Sequence, residues 1–103
     1  MSSIILESKL AGETRNYTFD FSSRLAVGET ISTKVTTATV YSGTDASPSS
    51  LINGAASASG AIVTQSLTAG TSGVIYALVC TITTSTSQTL ILSAFMAVVP
   101  NVI

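Results

Sequence analysis

Five acidic and four basic side chains are the formally charged groups of this chain, and all of them precede position 46: Glu7, Lys9, Glu13, Arg15, Asp20, Arg24, Glu29, Lys34 and Asp45. Histidine is missing altogether. That removes the usual general base, the serine–histidine–aspartate arrangement and the commonest metal ligand. A single cysteine, Cys80, rules out a thiolate zinc site and an internal disulfide. Its place in an alternating apolar run predicts a buried, inert thiol. The acids are scattered and form no calcium loop, and the glycines form neither a dinucleotide fingerprint nor a phosphate loop. Asp20 and Arg24 stand four residues apart and are expected to pair across a turn. Asn16-Tyr17-Thr18 fits the glycosylation pattern by spacing alone. Catalysis by this chain on its own is not expected, and no cofactor, metal or catalytic residue is assigned.

The elements that must position these groups centre on Asn16 to Ile31, NYTFDFSSRLAVGETI. Its first half alternates, with Tyr17, Phe19 and Phe21 on one face and Asn16, Thr18 and Asp20 on the other, the period of a strand with one buried side. Half of the six aromatics lie here, so the core is expected to form over this ribbon. Ser22 to Glu29 reads as a turn with an inserted apolar pair. Residues 1 to 10 read as a first edge strand with Ile4 and Leu6 on one face, and Ala11-Gly12-Glu13 as the turn that follows. After Gly28-Glu29, a strand is expected to turn Ile31, Thr33 and Val35 inward, with a bulge near Thr36-Thr37 because Ala38 and Val40 have the opposite parity.

Ser42 to Gly60, SGTDASPSSLINGAASASG, is the longest weakly specified segment. It is expected to hold a loop, a short strand at Ser50 to Ile52, a turn at Asn53-Gly54 and more loop. Ala61 to Leu67 reads as a strand. Val74 to Ile82 is apolar on both faces, as in a central strand covered by the other sheet on one side and by something else on the second. Thr83 to Gln88 makes a polar hairpin loop, and Thr89 to Val99 is the last strand, stopped at Pro100. No helical period is found. The expectation is all-β: an antiparallel β-sandwich of about seven strands, one domain over 1–103.

Charged residues are 9% of the chain, against roughly a quarter in an average soluble protein, and Ser and Thr together make up about a third. The second half carries no side-chain charge, which is easier to understand if part of its surface lies against a partner. A net charge of −1 without a Lys/Arg cluster removes the electrostatic footprint of nucleic-acid binding. No stretch approaches the roughly 20 apolar residues of a membrane helix. The N-terminal residues lack the basic and apolar regions of a secretory signal, so synthesis in a cytoplasm is expected.

Leu67, the following AGTSG and then Tyr76 resemble the corner of immunoglobulin-like sandwiches at which a tyrosine bonds back to the backbone. The stretch K-L-A-G-E-T-R-N-Y-T-F-D-F-S-S-R-L-A-V-G-E-T-I-S from Lys9 to Ser32 resembles small proteins of tailed bacteriophages. In those a lysine, an acid and an aromatic ribbon lead to Leu-x-x-Gly-Glu/Asp-Thr-Ile. T-A-G-T-S-G-V-I-Y and T-I-T-T-S-T-S-Q are similar to further segments of the same proteins. Phe21 stands where tryptophan is frequent, and the last strand lacks charge. The resemblance implies an immunoglobulin-like virion structural protein made in the host cytoplasm, foremost a capsid decoration or cement protein. Such a protein sits on the capsid surface, with the major capsid protein or other virion proteins as partners. It implies a homo-oligomer, with a trimer as one form. The alternatives are a head-to-tail (neck) or head-fibre anchoring component and, from another class, a receptor- or carbohydrate-binding module. Partner contacts are expected at Ser2, Ser3, Ile4 and Ile5 of the first edge, and at Tyr41, Asp45, Ser49, Leu51 and Asn53 around the long loop, since edges and long loops are free to engage neighbours.

Overall fold

A computed structural model of the chain describes residues 3–5 and 8–100. Eight strands run in the order β1 (Ser3–Ile5), β2 (Lys9–Leu10), β3 (Arg15–Asp20), β4 (Ile31–Ser42), β5 (Ser57–Ser59), β6 (Ile62–Leu67), β7 (Ile75–Thr84) and β8 (Thr89–Val99), with a 3-10 turn over Pro48–Leu51. They form two sheets, β1-β8-β7-β4 with β2 also on β8, and β3-β6-β5. The protein is an all-β sandwich. Its pairings are antiparallel except at the start, where β1 and β2 both lie parallel to β8. The first edge, expected as one strand, is described in two pieces, and Leu6, expected on one face with Ile4, lies outside the described residues. Ile5 pairs with Phe95 and Lys9 with Val98, so the register on β8 differs by one residue between the two pieces.

The aromatic ribbon is the floor of the core. Phe19 and Phe21 are fully buried and Tyr17 nearly so. Across the small sheet Tyr17 lies opposite Gln65 and Phe19 opposite Val63, so one face of the β3–β6 pair is inward. The facing layer comes from β7 and β8, where Tyr76, Leu78, Cys80 and Ile82 alternate inward beside Leu92, Ala94, Met96 and Val98. Each of the large side chains contributes about 1.5–3 kcal/mol by leaving water. Burial pushes the Cys80 thiol up from its ordinary pKa, in keeping with an inert core residue.

Four expectations need correcting. In β4 the inward residues are Thr36 and Ala38, while Val35 is 55% exposed and Thr33 points to solvent. The cause lies in β7, whose even positions hold the bulkier apolar set. Ala38 sits opposite Leu78 and Thr36 opposite Cys80, and cross-strand neighbours share a face. Irregularities do occur in β4, but between Ile31 and Thr33 and between Val40 and Ser42 rather than at Thr36-Thr37. Ser50 to Ile52 is not a strand: Pro48 starts a 3-10 turn in which Ser50 N–H donates to Ser47 O and Ile52 N–H to Ser49 O, and only Ile52 reaches the sheet, opposite Leu67. Asp20 and Arg24 take other partners: Asp20 Oδ1 accepts from Ser22 N–H at 2.8 Å, and Arg24 Nη1 donates to Ile91 O at 3.3 Å.

Candidate partner-binding surface

Once β7 commits its even positions to the core, the odd positions of β4, β7 and β8 define the outer face of the large sheet. Cross-strand register arranges them in rows: Val35, Thr81 and Ile91; Thr37, Val79 and Ser93; Thr39, Ala77 and Phe95. None of these side chains is charged, and all are exposed or half-buried. The bulge at the end of β4 completes the surface. Val40 pairs with Tyr76 and Ser42 with Ile75, which leaves Tyr41 as the extra residue. Bulges re-aim side chains, and the Tyr41 ring packs at 4.5 Å and 49° against the ring of Phe95 on β8, two strands away. The strand between them carries only the methyl of Ala77 in the row of Phe95. Tyr41 remains 65% exposed. An amphipathic ring held by a neighbour yet open to solvent is the kind of side chain that anchors protein interfaces.

The described acids lie elsewhere and act as turn residues. Asp20 Oδ1 accepts from Ser22 N–H and Asp45 Oδ1 from Ser47 N–H, two residues on in each case. Glu13 Oε1 accepts from Leu10 N–H and Glu29 Oε1 from Ala26 N–H, three residues back. Glu29 Oε2 also accepts from Thr84 Oγ1 at 2.5 Å and from Thr86 Oγ1, joining the β3–β4 loop to the β7–β8 hairpin. These bonds hold the Glu29 carboxyl below its ordinary pKa, the Thr84 hydroxyl contributing most. At the other end Tyr76 Oη donates to Asp45 Oδ2 at 2.6 Å and accepts from Thr71 N–H at 2.8 Å, which locks the long loop to the β6–β7 corner. The tyrosine hydroxyl is the first cause of a lowered Asp45 pKa, and burial, then the bond to Asp45, raises that of Tyr76. Lys9 is fully buried with Nζ donating to Leu10 O at 3.0 Å; desolvation lowers its pKa, with Glu13 opposing.

The residues expected to touch a partner are not brought together. Tyr41 joins the outer face. Asp45 engages both carboxylate oxygens within the chain, Oδ2 with the Tyr76 hydroxyl and Oδ1 with Ser47 N–H. Ser49 is exposed, and Asn53 donates through Nδ2 to Ser66 Oγ at 3.1 Å on the small sheet. Leu51 is a correction: it is fully buried, because the 3-10 turn drives it into the core against the corner glycine Gly70. Ser3, Ile4 and Ile5 form β1 at the edge of the large sheet, and Ser2 lies outside the described residues. Sequence reading missed Val35, Val79, Ile91 and Phe95 as surface residues. The signal was the two-sided apolar pattern of Val74 to Ile82, which called for a covering on its second side.

The described residues thus form a β-sandwich whose acids close turns and whose large sheet presents an uncharged outer face with an aromatic pair. A family model describing the podophage GP4 fiber-tail adaptor protein gp77 matches residues 9–96, from β2 to most of β8. The chain belongs to this family, and is a structural component of a tailed-phage virion with virion proteins as its partners. No curated protein matches it.

Proposed function

We propose that this protein is an adaptor that joins a fibre to the tail of a podophage-type virion, and that the outer face of β4, β7 and β8 is one of the two surfaces it uses. The family description supports the fibre-anchoring alternative of the sequence reading over capsid decoration. The observation that carries the surface is the Tyr41–Phe95 pair on a face without charge. An adaptor has to hold its neighbours through assembly without chemistry, and a flat face of Thr, Val, Ile and aromatic groups does so by excluding water over its area. Modest contacts suffice where several copies act on one assembly.

The test is genetic and structural. Phage carrying Tyr41→Asp place a charge at the centre of the aromatic patch, at a position exposed in the free protein. They are expected to assemble filled particles that lack fibres, while the purified variant melts as the parent does. Stained gels of parental virions are expected to show the protein at a low copy number set by tail symmetry. Fibres retained on the variant would overturn the surface; a copy number matching the major capsid protein would overturn the adaptor role.

A further inference from the structure

Among the described residues, five strands lie at the outer edges of the two sheets. β1 and β2, which share one edge, are three and two residues long, β5 is three, and β3 is six. The fifth, β4, runs for 12 residues from Ile31 to Ser42 and is paired on one side alone, with β7. Its span is about 40 Å at the usual rise of a strand, close to the full 47 Å length of the molecule. The 3-10 turn and β5 lie close to β4. Neither takes a ladder hydrogen bond from it, so its edge-facing N–H and C=O groups have no backbone partner among the described residues. Strands that must stay single are blunted by proline, by inward charge or by bulges along their length. Here there is no proline, the one charge (Lys34, on the face of the inward Thr36) stands near the start of the strand, and the irregularities lie near the two ends, which leaves Val35 to Val40 regular and uncharged.

We infer that β4 pairs with β4 of a second copy of this chain, antiparallel, across a twofold axis perpendicular to the large sheet. This inference concerns self-assembly and does not depend on the adaptor reading. Isologous pairing uses the longest open edge among the described residues, and β1 and β2 at the far edge of the large sheet are too short to extend it, so that sheet closes at two copies. The axis places outward residues opposite outward residues. A register centred on Thr37 puts that residue opposite its own counterpart and Val35 opposite Thr39. Both are pairings of β-branched side chains, which suit a ladder. Lys34 then faces Val40, and the two lysines stand about 20 Å apart along the strands, beyond the screening length of physiological salt. The uncharged outer faces of the two copies become continuous.

Light scattering on the full chain is expected to give twice the chain mass, falling to the chain mass on dilution. Thr37→Lys sets two ammonium groups directly opposite each other across the axis while remaining on an exposed position of the free protein. It is expected to raise the dimer dissociation constant several-fold with the strand circular dichroism unchanged. Thr37→Cys supplies an independent reading. Directly opposed residues have Cα atoms about 4.5–5.5 Å apart, within disulfide reach, so mild oxidation is expected to cross-link this variant. Val35→Cys is not expected to cross-link, since its counterpart lies four residues along the strand. A parent that stays monomeric at high concentration overturns the proposal, as does a dimer indifferent to Thr37→Lys or cross-linked equally by Val35→Cys.

Discussion

Replacing Tyr76 by phenylalanine removes one oxygen from a fully buried ring and leaves the packing volume nearly unchanged. That oxygen makes two bonds, donating to Asp45 at 2.6 Å and accepting from Thr71 N–H at 2.8 Å. A bond to a charged group is worth about 1.5–3 kcal/mol and a neutral one about 1, but Asp45 is only half-buried and keeps Ser47 N–H, so water recovers part of the loss. The expected net cost is about 1–3 kcal/mol, a fall in Tm of roughly 5–15 °C for a chain this size. The pH profile makes the assignment specific. The hydroxyl is the first cause of a folded-state Asp45 pKa below its ordinary 3.8. A carboxyl depressed on folding adds stability above its unfolded pKa and loses it as pH falls through the folded value. The parent therefore loses this contribution on acidification below about pH 5, and Tyr76→Phe is expected to lose less across that window. Thermal melts from pH 7 to pH 2, with Asp45→Asn and the double variant completing a cycle, measure both effects. A variant with unchanged Tm and an unchanged acid profile would refute the clamp.

Phe19→Ala opens a cavity under both sheets and is expected to cost about 3–5 kcal/mol in urea unfolding. Gly70 has φ +92°, and a Cβ there would meet Val98 Cγ2 at 2.8 Å and Leu51 Cδ1 at 3.1 Å, so Gly70→Ala is expected to destabilise by more than about 1 kcal/mol. Leu51→Ala is expected to cost about 2–5 kcal/mol, while Ser49→Ala, on the exposed side of the same turn, stays within about 0.5 kcal/mol; equal effects would contradict the burial of Leu51.

Most of the scaffold was legible because its residues alternate strongly. Tyr17, Phe19 and Phe21 announced one face of β3, and the turn of Asn53-Gly54 appears as a bend with Gly54 at φ +77°. β5 was invisible because Ser57, Ala58 and Ser59 are small and exposed on both faces, so no period marks them. The face of β4 was misread because threonine and valine suit either side of a sheet. Its orientation is set by β7, a partner about forty residues later in the chain. For the same reason the outer surface could not be placed: Val35 read as inward, whereas the bulky even positions of β7 set the inward face of β4 at Thr36 and Ala38. Tyr41 was legible as an exposed aromatic next to Ser42-Gly43, whereas its contact with Phe95 depends on a bulge that no local pattern encodes.

The confinement of charge to the first half follows from what the charges do. The four described acids each close a turn by accepting a nearby backbone N–H, and every one of those turns lies before position 48. The β7–β8 hairpin uses a hydroxyl instead: Thr84 Oγ1 accepts from Thr86 N–H at 3.3 Å and from Gln88 N–H at 3.1 Å. That hairpin draws its one charge from the first half, since Thr84 and Thr86 both donate to Glu29 Oε2, while the rows of the outer face stay neutral up to the rim where Arg24 meets Ile91 O. Acid should therefore act on the loops before the ladders. Asp20, Glu29 and Asp45 all have folded-state pKa values below their ordinary ones, led by the Ser22 N–H, the Thr84 hydroxyl and the Tyr76 hydroxyl respectively. Their contributions are present above the unfolded values and are lost as pH falls through the folded ones. Hydrogen exchange in acid, scaled for intrinsic rate, should show Ser22, Ala26 and Ser47 losing protection while Leu78 and Cys80 retain it. Simultaneous loss along β7 would mean that these carboxylates hold the sandwich itself, and the division of labour between acid turns and hydroxyl turns would fail.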